Sequence, residues 1–210
     1  MSKLQDVENA VVSGKSKLVA GLVQEALDEG CSAPDILNGM INAMGIVGER
    51  FKKNEIFVPE MLVAARAMKK GVDVLKPHLA SGSAGVCGKA IIGTVAGDLH
   101  DIGKNLVAMM IESAGFEVID LGVDVPVEKF IETVKANPDV KIVGCSALLT
   151  TTMPALESTV EALNAEDFRS HIKVMVGGAP ITQEFANEIG ADAYTPDAAS
   201  AAQKAKELVA

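Results

Sequence analysis

Asp98, His100 and Gly103 stand close together in the stretch GDLHDIGKNL. A neutral imidazole presents one nitrogen as a lone-pair donor when an acceptor holds the other. A carboxylate two residues earlier is such an acceptor. Ala90, Ile91, Ile92 and Val95, just before this stretch, form the apolar run of a buried strand. Leu106, Val107, Met110 and Ile111, just after it, recur at helical spacing. The pattern therefore places His100 on a loop at the carboxyl end of a strand, ahead of a helix. In open parallel sheets ligands bind at that edge. Taken alone, the pair is equally well read as a loop histidine satisfied by its neighbour.

The elements around it alternate. The pattern predicts strands over 89–95, 116–120, 140–145, 173–177 and 192–194, and helices over 104–114, 127–136, 153–164, 181–189 and 197–208. Five such units give a doubly wound, flavodoxin-like (Rossmann-like) parallel sheet in the order 2-1-3-4-5. Two further strand ends then fall beside the first. One carries Gly144, Ser146, Leu148, Thr150 and Thr152, and the other carries Gly177 and Gly178. Small residues there predict a slot that admits something long.

Residues before about 80 read as helical. Leu4, Val7 and Val11 begin an apolar face that Gly14 breaks, and Leu18, Leu22, Val23 and Leu27 continue it to Gly30. Ser32 and Asp35, with Pro34 between them, start a third helix, and Pro59 starts a fourth that runs to about Leu79. Four helices with short connections predict an antiparallel bundle. The expected organisation is a helical domain over 1–80, a small-residue linker over 81–88 and an α/β domain over 89–210.

Composition narrows the function classes. A net charge of −9 gives no electrostatic footprint for nucleic acid. No apolar run reaches the ~20 residues of a membrane span, and the first residues, MSKLQDVENAVVSGK, lack a signal-peptide pattern. Cys31, Cys87 and Cys145 are scattered and odd in number, which fits a reducing cytoplasm.

The motifs together resemble those of methyl-transferring corrinoid (cobalamin-binding) proteins. DLHDIG resembles their DxHxxG motif, Ser146–Ala147–Leu148 their SxL motif and Gly177–Gly178 their paired glycines. Residues 48–71, GERFKKNEIFVPEMLVAARAMKKG, resemble the helical cap of cobalamin-dependent methionine synthase and of anaerobic corrinoid proteins. The resemblance covers nearly the whole chain. It implies cobalamin or a related corrinoid as cofactor, with His100 replacing the corrinoid's own base as lower axial ligand to cobalt. Asp98 would fix the imidazole, and Thr152 would extend the relay where the methionine synthase pattern has Ser. Leu99, Asp101, Ile102 and Gly103 would lie beneath the corrin. Ser146, Leu148, Thr150, Gly177 and Gly178 would hold the displaced nucleotide tail. Phe51 and Val58, the latter a departure from Leu, would cap the methyl face, with Met44 and Val47 completing the lid and the linker serving as hinge. Tyr194 is read as either a cofactor-periphery residue or a core residue.

The function implied is one-carbon metabolism. A methyl group would pass on cobalt from a donor methyltransferase subunit to an acceptor methyltransferase subunit, with tetrahydrofolate or a thiol as acceptor and a reductive activase as a further partner. Methanol, methylamines, methoxylated aromatics and betaines all remain open as donors, and the chain is not expected to turn over alone. The alternative is the small subunit of an adenosylcobalamin-dependent mutase, which shares DxHxxG but needs no methyl cap. Cobalamin photoreceptor regulators carry a Trp-containing cap, and this chain has no Trp. The His100–Asp101 pair of metal-dependent phosphohydrolases needs further ligands, and only His78 and His171 remain, neither within a motif.

Overall fold

The computed structural model describes residues 3–79 and 87–210. It divides into two compact units, with the second beginning at Cys87. The expected linker over 81–88 falls largely on residues 80–86, outside the described residues.

The first unit holds four helices, α1 (Lys3–Val12), α2 (Ser16–Asp28), α3 (Ala33–Lys52) and α4 (Val58–Leu75). Ser32 starts α3 as the sequence predicts: its hydroxyl accepts the Asp35 N–H at 3.2 Å. At the start of α4 the Glu60 carboxylate accepts the Phe57 N–H at 3.0 Å. Val19, Ile36, Met40, Val47, Met61 and Met68 are buried. The fourth helix stops short of Leu79. Pro77 has no N–H to continue the ladder, and Lys76–His78 tighten into a 3-10 turn.

The second unit is a parallel sheet of β1 (Gly88–Val95), β2 (Phe116–Val125), β3 (Val140–Ser146), β4 (Lys173–Gly177) and β5 (Ala193–Tyr194), in the predicted order β2-β1-β3-β4-β5. Helices α5 (Ile102–Ser113), α6 (Val127–Ala136), α7 (Met153–Asn164), α8 (Gln183–Glu188) and α9 (Ala198–Val209) connect and flank the strands. Two boundaries differ in ways that matter. Strand β2 runs to Val125 rather than 120, because Gly122 adopts a φ of +86° and the register with β1 shifts there. Helix α5 begins at Ile102 rather than 104, which brings Gly103 into its first turn. The α8 helix is shorter than its predicted span, because Thr182 caps it by accepting the Phe185 N–H at 3.2 Å.

Val95, Phe130, Val143, Leu156, Val160 and Val176 belong to one continuous apolar cluster of the sheet unit. The Phe130 ring lies directly on β1: a Cβ at Gly93 would sit 2.7 Å from its Cζ. That close approach seats the strand whose end carries the His100 loop. Phe130 has no exposed surface, and Phe130→Ala is expected to lower stability by about 3–5 kcal/mol, read from the shift of the urea unfolding midpoint.

Candidate cofactor site

The chain leaves β1 at Val95 through a turn at Gly97, whose φ of +81° is open to glycine at little cost. Asp124, at the end of β2, clasps this turn from both sides. Its carboxylate accepts the Gly97 N–H at 2.7 Å, and its own N–H donates to the Asp98 carbonyl at 2.9 Å. Asp124 adopts a left-handed φ of +53° to do so, a conformation that Asp tolerates better than most residues.

The turn drives the Asp98 side chain inward, where it has no exposed surface. Its Oδ1 accepts from the His100 backbone N–H at 3.1 Å and lies 2.6 Å from the His100 ring Nδ1. Its Oδ2 accepts from the Leu148 N–H at 2.7 Å, the Leu149 N–H at 3.4 Å and the Thr152 hydroxyl at 2.7 Å. Burial by itself would raise the carboxyl pKa. The Leu148 N–H, the Thr152 hydroxyl and the two His100 donors outweigh it and hold Asp98 well below the usual carboxylate range. The group is therefore an anion at neutral pH. An anion can only accept, so the hydrogen of the imidazole resides on Nδ1. In the neutral imidazole the lone pair is then on Nε2, on a side chain that is 49% exposed.

Exposed apolar residues flank His100 and the Asp98 contacts along the chain. Leu99, Ile102, Leu148 and Leu149 are the exposed large hydrophobic residues of the sheet unit among the described residues. Leu99, Leu148 and Leu149 come from the two loops that meet at Asp98, and Ile102 opens α5 just after the first of them. A Cβ at Gly103 would meet nothing within 4 Å, so the surface there is open. Asp101 is exposed, and its carboxylate accepts from the Asn105 side chain at 3.1 Å, one turn into α5. This arrangement fits a corrinoid. Among the described residues no group of three or more His, Cys, Asp or Glu could hold a metal ion. A corrin ring carries its own nitrogen ligands to cobalt, so a single imidazole nitrogen suffices to hold such a group.

The small-residue slot is partly closed by the protein itself. Ser146 pairs with Gly177 across β3 and β4, but its hydroxyl lies 3.0 Å from that of Thr94. A Cβ at Gly144 would meet its cross-strand partner Ile92 at 3.4 Å, an ordinary contact. Gly178 has a φ of +134°, and a Cβ there would overlap the Ala147 carbonyl. Its glycine is required by the close approach of two backbone loops, whatever else binds there. Thr150 is exposed and precedes the buried Thr152 in a 3-10 turn. Tyr194 packs against the apolar cluster of the sheet unit, on the core side of the two readings left open.

In the helical unit Met44 and Val47 are buried, so neither presents an accessible face. Phe51 is half-buried and Val58 exposed. Phe57, which the motif match passed over, is 63% exposed beside Val58. His78 and His171 are both exposed. Two buried polar residues of the sheet unit also went unread. Thr94 has no exposed surface and donates to the His100 carbonyl at 2.9 Å. Lys104, inside the first turns of α5, binds both carboxylate oxygens of Asp120 at 2.6 Å.

Comparison with known proteins identifies the family. A family model described as a B12 binding domain matches residues 88–204, and a second B12 binding domain model matches residues 4–76. The dimethylamine corrinoid protein 1 of Methanosarcina acetivorans is 44% identical over 209 residues, which cover 99% of this chain and 97% of that protein. The crystal structure of a cobalamin-binding protein from Desulfitobacterium hafniense superposes with a TM-score of 0.82 at 33% identity, covering 99% of this chain and 98% of that one. A chain of the methanol:cobalamin methyltransferase complex from Methanosarcina barkeri gives a TM-score of 0.84 at 27% identity, covering 99% and 79%.

The buried carboxylate makes stability depend on acid. With its folded pKa depressed and an unfolded value of about 3.9, Asp98 binds fewer protons when folded across the interval between the two. Its contribution is complete above about pH 4 and is lost as pH falls through that interval. Denaturation midpoints measured from neutral pH downward should fall more steeply below about pH 4 in the wild type than in Asp98→Asn, which starts lower but has no such group to protonate.

Proposed function

The chain belongs to the corrinoid proteins built from B12-binding domains, and on that premise we propose that it carries a methyl group for a methylamine methyltransferase system, with His100 Nε2 as the lower ligand to cobalt. The observation that carries the reading is the Asp98–His100 contact at 2.6 Å, which turns Nδ1 to the carboxylate and leaves Nε2 of a half-exposed side chain to bind. The corrinoid, when bound, supplies a cobalt that accepts and gives up the methyl group.

The rest of the task falls to this chain's residues. Asp98 orients the imidazole and, through its negative charge, makes Nε2 a stronger donor. Thr152 has one hydroxyl hydrogen, and the carboxylate at 2.7 Å is a better acceptor for it than the Leu149 carbonyl at 2.9 Å. Thr152 thereby withdraws part of the Asp98 charge and tunes the hold of Nε2. Leu99, Ile102, Leu148 and Leu149 exclude water from the face beneath the corrin. Ser146, Thr150, Gly177 and Gly178 border the path of the nucleotide tail. By the motif match, Phe51 and Val58, with the exposed Phe57 beside them, are the apolar residues that the helical unit would offer as a cap.

The donor we favour is a methylamine, because the M. acetivorans protein that is 44% identical along nearly the full length is a dimethylamine corrinoid protein. A donor methyltransferase delivers the methyl group, a second methyltransferase passes it to tetrahydrofolate or a thiol, and a reductive activase restores the cobalt after accidental oxidation.

Loaded with cobalamin, the wild type should give a base-off, His-on absorption spectrum, and His100→Ala should lose it. An unchanged spectrum in His100→Ala would overturn the ligand assignment. Asp98→Asn should keep the corrinoid but weaken its binding by roughly 10–100-fold. Methylation of the bound corrinoid by dimethylamine, in the presence of a dimethylamine methyltransferase, checks the donor; methylation by methanol instead would redirect it.

A further inference from the structure

Thr94 closes β1 with no exposed surface, one residue before Val95. Its hydroxyl lies 2.9 Å from the His100 carbonyl and 3.0 Å from the Ser146 hydroxyl. The β1–β3 register sets this meeting, since Thr94 and Ser146 are direct partners across the two strands. The direction of the hydrogens follows from counting them. A carbonyl can only accept, and a hydroxyl has one hydrogen. The Thr94 hydrogen is thus given to His100, and the contact with Ser146 is made by the Ser146 hydrogen pointing at Thr94. The result is a one-way chain from Ser146 through Thr94 to the backbone of His100. It leaves the half-buried Ser146 oxygen with lone pairs and no hydrogen to offer.

We propose that Thr94 is a positioning residue that couples whatever occupies the Ser146 slot to the hold on His100. The proposal rests on the reading of His100 as the cobalt ligand and of the slot as the place of the nucleotide tail. A group that donates to Ser146 leaves the chain intact and His100 pinned. A group that accepts from Ser146 removes the hydrogen between Ser146 and Thr94. Two oxygens 3.0 Å apart with no hydrogen between them repel, so Thr94 turns its hydrogen to Ser146 and releases the His100 carbonyl. The strength of the lower ligand then depends on the chemistry of the tail, through a residue that need touch neither cobalt nor tail. One neutral hydrogen bond changes such an equilibrium roughly fivefold.

The test uses the full chain loaded either with cobalamin or with cobinamide, which lacks the nucleotide tail. Cyanide displaces the imidazole from cobalt, and the cyanide concentration at half-conversion of the absorption spectrum reports how firmly His100 is held. The cobalamin base, off cobalt, offers Ser146 a ring-nitrogen lone pair, an acceptor, so in the wild type His100 should hold cobalamin roughly fivefold less firmly than cobinamide. In Thr94→Val, which keeps the shape but removes the hydroxyl, the cyanide midpoint should fall and the difference between the two corrinoids should vanish; Thr94→Ser should restore both. A wild type that does not distinguish cobalamin from cobinamide, or a Thr94→Val that still does, would overturn the coupling. Two readouts separate this from failure of the ligand assignment. An unchanged spectrum in His100→Ala refutes the assignment alone. In the protein without corrinoid, amide hydrogen exchange over residues 98–103 should quicken in Thr94→Val, and unchanged exchange would remove the positioning role whatever binds cobalt.

Discussion

A carboxylate with no exposed surface must be met by donors from every side, and the site is built around meeting this need at Asp98. Five donors reach its two oxygens, two from His100 and three from Leu148, Leu149 and Thr152. Leaving such an ion unpaired costs several kcal/mol, so the two loops are not free to move apart. One follows β1 and the other follows β3, about fifty positions further on. Only a sheet in which the first and third strands are neighbours brings them together, and the order β2-β1-β3-β4-β5 does so.

The same ion decides what the exposed imidazole can do. An isolated histidine exchanges between tautomers and rotamers. Here Asp98 holds both the backbone N–H and the ring Nδ1 of His100, and Thr94 holds its carbonyl. Three fixed points hold the imidazole in one orientation, with a hydrogen on Nδ1. The exposed Leu99, Leu148 and Leu149 come from the same two loops, and Ile102 opens α5 just after the first of them. Exposed apolar side chains at a sheet edge are unfavourable in water, and their grouping near His100 along the chain has a natural explanation in a flat, mostly apolar partner.

Much of this was legible in the sequence. Apolar periodicity marked the helices and strands, alternation implied a doubly wound parallel sheet, and the favoured flavodoxin-like order is the one observed. The resemblance singled out Asp98, His100 and Thr152, and the structure joins all three. What escaped was whatever depends on register or on a neighbouring strand. Thr94 reads as one more β-branched strand residue, and its role exists only because it faces Ser146 across β3. Lys104 reads as a solvent-facing helix lysine, yet it is buried against Asp120 on the part of β2 next to the Gly122 irregularity. Small residues misled in the other direction. Gly178 suggested open space in the slot, but the Ala147 carbonyl occupies the space beside it.

The central claim is that the nitrogen on cobalt belongs to His100. Electron paramagnetic resonance of the reduced, Co(II)-corrinoid-loaded protein tests it directly, because a single axial nitrogen splits each cobalt line. With natural-abundance histidine the account predicts triplets, and with ¹⁵N-histidine incorporated into the protein it predicts doublets, both absent in His100→Ala. Triplets that persist after ¹⁵N-histidine labelling would place the corrinoid's own base on cobalt and contradict the account.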